Sequence, residues 1–173
     1  ILNNTVQDFY ADGIVLNNND GAIVRGNNVH RTNRVAVGVF TGIELGTANL
    51  NCLVDGNRVH DSHTSATTQS GTAYGIAAIG CDAPVGNENR VINNLIYKLN
   101  SGTGTIYGLY NSSSNGVFYY HNTVALQNTA STAGITRGFY QITLASNIEV
   151  KNNIIYITRG GTDAKNCLYF GTT

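Results

Sequence analysis

The stretch Val24-Arg25-Gly26-Asn27-Asn28-Val29 is repeated in kind 30 residues later as Val54-Asp55-Gly56-Asn57-Arg58-Val59. Both read apolar residue, two spacers, Asn, one spacer, β-branched residue. The same order stands at Ile1-x-x-Asn4-x-Val6, Val91-x-x-Asn94-x-Ile96, Tyr119-x-x-Asn122-x-Val124 and Val150-x-x-Asn153-x-Ile155. The asparagines are spaced 23, 30, 37, 28 and 31 residues apart, the range of stacked solenoid coils.

A second element lies inside each interval: Gly13-Ile14, Gly42-Ile43, Gly75-Ile76, Gly108-Leu109 and Gly138-Phe139, with Cys167-Leu168 as a degenerate copy. From each Gly to the next repeat Asn the distances are 14, 15, 19, 14 and 15; from Asn to the next Gly they are 9, 15, 18, 14 and 16. The first arc is therefore committed to structure, and the second is a loop free to vary. Val, Ile, Tyr and Thr dominate short alternating runs bounded by Gly, Asn or Ser, which predicts strands. Parallel stacking sets equivalent residues about 4.8 Å apart, so six coils make a rod about 29 Å long. An inward asparagine at a tight corner then bonds its equivalent one coil away, so Asn4, Asn27, Asn57, Asn94, Asn122 and Asn153 are expected to form a ladder. Asn also tolerates the left-handed backbone that such a corner requires.

Ladder and coil spacing together resemble the pectate-lyase-like superfamily over essentially the whole chain. The resemblance implies an all-β fold, a right-handed single-stranded parallel β-helix of about six coils, with residues 1–173 as one domain. It places the Asn corner between the second and third sheets, long loops after Val29, Val59, Ile96 and Val124, and the first sheet at segments such as Gly42 to Leu45. The Asn-rich, charge-poor style is similar to β-helix stretches of large bacterial surface and secreted proteins, so a secreted or cell-surface location is expected. Neither end carries a cap, which predicts a fragment continuing at both ends, or coils that associate end to end.

Composition narrows the partners. Charged residues make up 12% of the chain, about half the usual share, while hydrophobic content is 42%. The missing charge is replaced by 24 Asn and 20 Gly, with Ser and Thr. Ten basic residues balance ten acidic ones, so no nucleic acid is expected as partner. No apolar run reaches the length of a membrane-spanning helix. Cys52 and Cys167 are expected in the core, and Cys81 falls in an insertion of the third coil. Either a Cys52–Cys81 disulfide joins adjacent coils or all three are unpaired thiols. The absence of any CxxC spacing argues against structural zinc, and neither metal nor cofactor is expected.

In the resembling fold the working cleft lies along the first sheet. Its outward column reads Val15, Glu44, Ala77, Tyr110, Tyr140 and Tyr169, whose three stacked tyrosines suit the apolar faces of sugar rings. On the third sheet the outward column reads Gln7, His30, His60, Tyr97, Ala125 and Tyr156. Beside it Asp8, Arg31, Asp61 and Lys98 alternate in sign, the pattern of a surface ion-pair ladder, and those interleaved cations also disfavour calcium.

Two functions follow. The first is an extracellular, non-catalytic solenoid that contacts polysaccharide through Tyr110, Tyr140 and Tyr169 or serves as a spacer. The second is a polysaccharide lyase acting on uronates by β-elimination, with His60, Arg31, Arg34 and Glu44 supplying base and charge neutralisation. The paired aspartates of a polygalacturonase-type hydrolase are missing from the first-sheet column, and so is the Asp-Pro-His run of an alginate-type epimerase. Ice binding, a third and weaker reading, lacks a Thr-x-Thr column in register.

Overall fold

A computed structural model describes residues 1–35, 38–63 and 69–171. Seventeen strands form three parallel sheets stacked as a β-solenoid of about five turns. The first sheet holds Asp12–Leu16, Phe40–Leu45, Ala73–Ile79, Ile106–Ser112, Thr136–Gln141 and Lys165–Phe170. The second holds Ile23–Arg25, Leu53–Asp55, Asn89–Ile92, Val117–Tyr120 and Ile148–Lys151. The third holds Thr5–Gln7, Asn28–His30, Arg58–His60, Leu95–Tyr97, Thr123–Leu126 and Ile154–Ile157. The second sheet has one strand fewer because the chain enters at a third-sheet strand and leaves on a first-sheet strand. That is why six repeats make about five turns rather than six.

Register follows the repeat. Val6, Val29, Val59, Ile96, Val124 and Ile155 form one column of the third sheet. Val24, Val54, Val91, Tyr119 and Val150 form the matching column of the second. With Ile14, Ile43, Ile76, Leu109 and Phe139 of the first sheet they fill the lumen, most of them without exposure. Burial of these stacked columns supplies the main drive to fold.

A two-residue corner joins the second sheet to the third, and there each asparagine binds the next coil. Asn27 donates from Nδ2 and from its backbone N–H to Asn57 Oδ1, both at 2.9 Å. The same double bond runs from Asn4 to Asn27, Asn57 to Asn94, Asn94 to Asn122 and Asn122 to Asn153. The left-handed residue is not the ladder asparagine but its predecessor: Asn3, Gly26, Gly56, Asn93, His121 and Asn152 all have φ between 54° and 67°. The corner turns on that residue, and the asparagine that follows directs its side chain to the adjacent coil.

The Gly column has an equally local cause. A Cβ on Gly42 would come within 2.3 Å of Val59 Cγ1 and 2.6 Å of the Gly75 carbonyl. Gly13, Gly75, Gly108 and Gly138 face Val29, Ile96, Val124 and Ile155 in the same way. The two sequence elements are therefore partners across the lumen, and the β-branched residue occupies the space where a side chain would otherwise stand.

Two buried arginines tie the variable loops. Arg31 is 0% exposed and donates to the carbonyls of Ser62, Tyr10 and Val39 at 2.8, 2.6 and 2.7 Å. Arg159 donates to the carbonyls of Ser101, Gly104, Ala133 and Gly134 and to the Thr136 hydroxyl. Burial lowers both guanidinium pKa values to about 10. The expected ion-pair ladder of Asp8, Arg31, Asp61 and Lys98 is not formed. Arg31 leaves the column to cross-link loops, whereas Asp8, Asp61 and Lys98 occupy left-handed backbone as the strands end. Asp8 instead accepts from the backbone and side chain of Asn33, which lowers its pKa, and Asp61 pairs with His60 at 2.6 Å.

The thiols of Cys52, Cys81 and Cys167 are all free. Cys52 and Cys81 are buried, and burial pushes the Cys81 thiol up to about 11. Cys167, expected in the core, is exposed instead. It lies on the last first-sheet strand, with Val150, Asn152, Asn153, Ile155 and Leu168 around a cavity of about 310 Å³.

Candidate functional site

The outer face of the first sheet carries the largest aromatic cluster. Pairing places Val15, Glu44, Ala77, Tyr110, Tyr140 and Tyr169 side by side along the axis. A second column, Asp12, Thr41, Tyr74, Tyr107, Arg137 and Asn166, runs beside it. Strand alternation alone does not find this second column. Phase slips at the column glycine, so the residue before Gly and the residue two after it share the outer face. The signal is the dipeptide itself: Tyr74-Gly75, Tyr107-Gly108 and Arg137-Gly138 each place an outward side chain before the glycine.

The rings touch continuously. Tyr107 and Tyr110 stack with centroids 5.3 Å apart and planes 15° from parallel. Tyr74 lies 4.9 Å from Tyr110, Tyr140 lies 5.1 Å from Tyr107 and 5.6 Å from Tyr110, and Tyr169 closes the row 5.5 Å from Tyr140. None of the five hydroxyls hydrogen-bonds another described residue. Burial among its neighbours pushes the Tyr74 hydroxyl up to about 12 and also raises Tyr107, with Arg137 opposing the latter shift. Tyr74 and Tyr107 are therefore neutral phenols at neutral pH. Tyr110 is half-buried, Tyr140 is 7% exposed and Tyr169 37% exposed, so the face offers partly covered aromatic surface.

Arg137 stands inside this row, its Cζ 3.8 Å from the Tyr140 centroid and 3.7 Å from that of Tyr169. Glu44 lies at the other end of the face. Its carboxyl pKa is raised by burial and then by Asp12, an outward carboxylate on the neighbouring strand that the single-column reading omits.

The lyase candidates do not assemble into a site. Arg31 is consumed by loop carbonyls and by His63 Nε2 at 3.3 Å. Arg34 donates to the Asp8 carbonyl and lies over the Tyr10 ring at 5.0 Å. His60 belongs to the third sheet, its ring between those of His30 and Tyr97 at 4.9 and 4.7 Å. Its ring nitrogens contact Asp61 Oδ2 at 2.6 Å and Asn28 Oδ1 at 2.9 Å. Glu44 belongs to the first sheet, and none of the four bonds to another among the described residues. Among those residues no group of three or more His, Cys, Asp or Glu is placed to hold a metal. Nor is any helix long and apolar enough to cross a membrane.

The chain matches no protein-family model, no curated protein and no solved structure.

Proposed function

We propose that this chain is an extracellular solenoid module that contacts polysaccharide through the outer face of its first sheet and otherwise acts as a rigid, non-catalytic spacer. The observation that carries the reading is the contiguous row of Tyr74, Tyr107, Tyr110, Tyr140 and Tyr169. Rings packed against one another over four coils make a continuous aromatic strip for an extended chain of sugar rings lying along the axis, and the parallel sheet holds them in place before binding. The likeness to pectate-lyase-like β-helices and the charge-poor, Asn-rich composition support an extracellular setting. A uronate lyase draws less support, because its base, cation and carboxylate candidates occupy separate places.

Affinity electrophoresis through gels containing soluble polysaccharides tests the proposal. Retardation of the wild-type chain by at least one glycan is expected, and Tyr110→Ala, Tyr140→Ala and Tyr169→Ala combined should abolish it. At about 0.5–1.5 kcal/mol per stacked ring, losing three rings weakens binding by about tenfold to a thousandfold. Undiminished retardation of a folded triple variant would overturn the reading.

A further inference from the structure

The first-sheet face is neutral along its tyrosines and charged toward its ends. Asp12 and Glu44 sit on its first two strands, and Arg137 on its fifth. At about 4.8 Å per coil, Glu44 is about 14 Å and Asp12 about 19 Å from Arg137 along the axis. No described residue forms a hydrogen bond or ion pair with Arg137. Its Nε is buried without a partner, and the rings of Tyr140 and Tyr169 cover its plane. What remains for a ligand is the edge carrying the terminal nitrogens, held in one orientation by the two rings. A fixed guanidinium edge fits the paired oxygens of a carboxylate or sulfate, and stacking on aromatic rings spares the entropy of ordering it.

Resting on the polysaccharide reading, we infer that Arg137 determines specificity on this face, selecting glycans whose acidic sugars, carboxylated or sulfated, are separated by neutral ones. One anion docks at the fifth strand while the uncharged sugar beside it lies on Tyr107 and Tyr110 of the fourth. A polymer charged at every sugar is disfavoured, since it would press anions onto the tyrosines and against Glu44 and Asp12. Glu44 already feels Asp12 as a like charge.

The experiment is calorimetric titration of the full chain with four soluble polymers: a neutral β-glucan, hyaluronate, κ-carrageenan (one sulfated and one uncharged sugar per disaccharide) and polygalacturonate. The alternating polymers should bind about tenfold tighter than either the neutral glucan or polygalacturonate, a ratio fitting one charge-assisted contact. Preference between hyaluronate and κ-carrageenan tells carboxylate from sulfate. Added salt should erode the advantage, and R137Q should lower the acidic-to-neutral affinity ratio about tenfold, with R137K restoring part of it. Equal, tyrosine-dependent binding of neutral and acidic polymers would overturn this inference and leave the polysaccharide reading standing. Tightest binding to polygalacturonate would overturn it as well, and binding to none of the four would remove both. If R137Q does not fold, the salt dependence of the wild-type chain decides, an advantage insensitive to salt being the overturning result.

Discussion

At the ladder corner a single side chain satisfies atoms on two coils. Asn94 Nδ2 donates to the Val54 carbonyl and to Asn122 Oδ1, while its own Oδ1 accepts from the backbone and side chain of Asn57. Asn94→Ala would leave the Asn57 N–H unpaired in a closed corner and take one of the two bonds of Asn57 Nδ2. At about 1–3 kcal/mol for a buried group left unsatisfied, a loss in that range is expected in denaturant-induced unfolding. Asn4→Ala, at an exposed end, should cost under about 1 kcal/mol, and equal costs at both sites would contradict the ladder's role. The asparagine was legible from sequence because it recurs in register. Its left-handed predecessor was not, because Asn, Gly and His share that position and only the backbone reveals what they have in common.

Elements meet across the lumen through the glycine column. A Cβ on Gly75 would lie 2.5 Å from the Gly108 carbonyl and 2.7 Å from Ile96 Cγ2. The carbonyl belongs to the adjacent strand and cannot yield without breaking sheet pairing. Gly75→Ala should therefore destabilise by about 1–3 kcal/mol, an overpacking cost readable as a lower unfolding midpoint. Pairing it with Ile96→Val relieves part of one clash and should recover less than half of the loss, whereas full recovery would show that the carbonyl contact does not matter. The glycine column, through Gly75, Gly108 and Gly138, hides Tyr74, Tyr107 and Arg137 from a reading by alternation. Two inward positions in succession shift the phase, and period-two logic carries only as far as the slip.

Over the whole molecule, stability should vary along the axis, because each coil is supported only by its neighbours. The third and fourth first-sheet strands, Ala73–Ile79 and Ile106–Ser112, lie between covered coils, while Lys165–Phe170 is largely exposed and Thr5–Gln7 little better. Amide hydrogen exchange should be slowest in the two central strands and faster toward both ends. Uniform protection would instead mean one global opening with no role for coil position. Arg31 and Arg159 lock loops at opposite ends of the stack, so those loops are expected to exchange more slowly than their irregular backbone suggests.

The sequence by itself determined the strands, their columns, the corner and the ladder, because these depend on a one-dimensional repeat that pairs each residue with its equivalent one coil away. Tyr110, Tyr140 and Tyr169 were legible for the same reason. Only the tertiary structure decided what breaks the repeat. Arg31 sits at a strand end, and its burial depends on carbonyls from Tyr10, Val39 and Ser62 that no local pattern brings together. Tyr74, Tyr107 and Arg137 reach the outer face through a phase slip forced by the packing of Val, Ile and Gly across the lumen. Cys167 occupies the column position of Gly138, which faces the lumen, yet its side chain is exposed, and only the structure shows this.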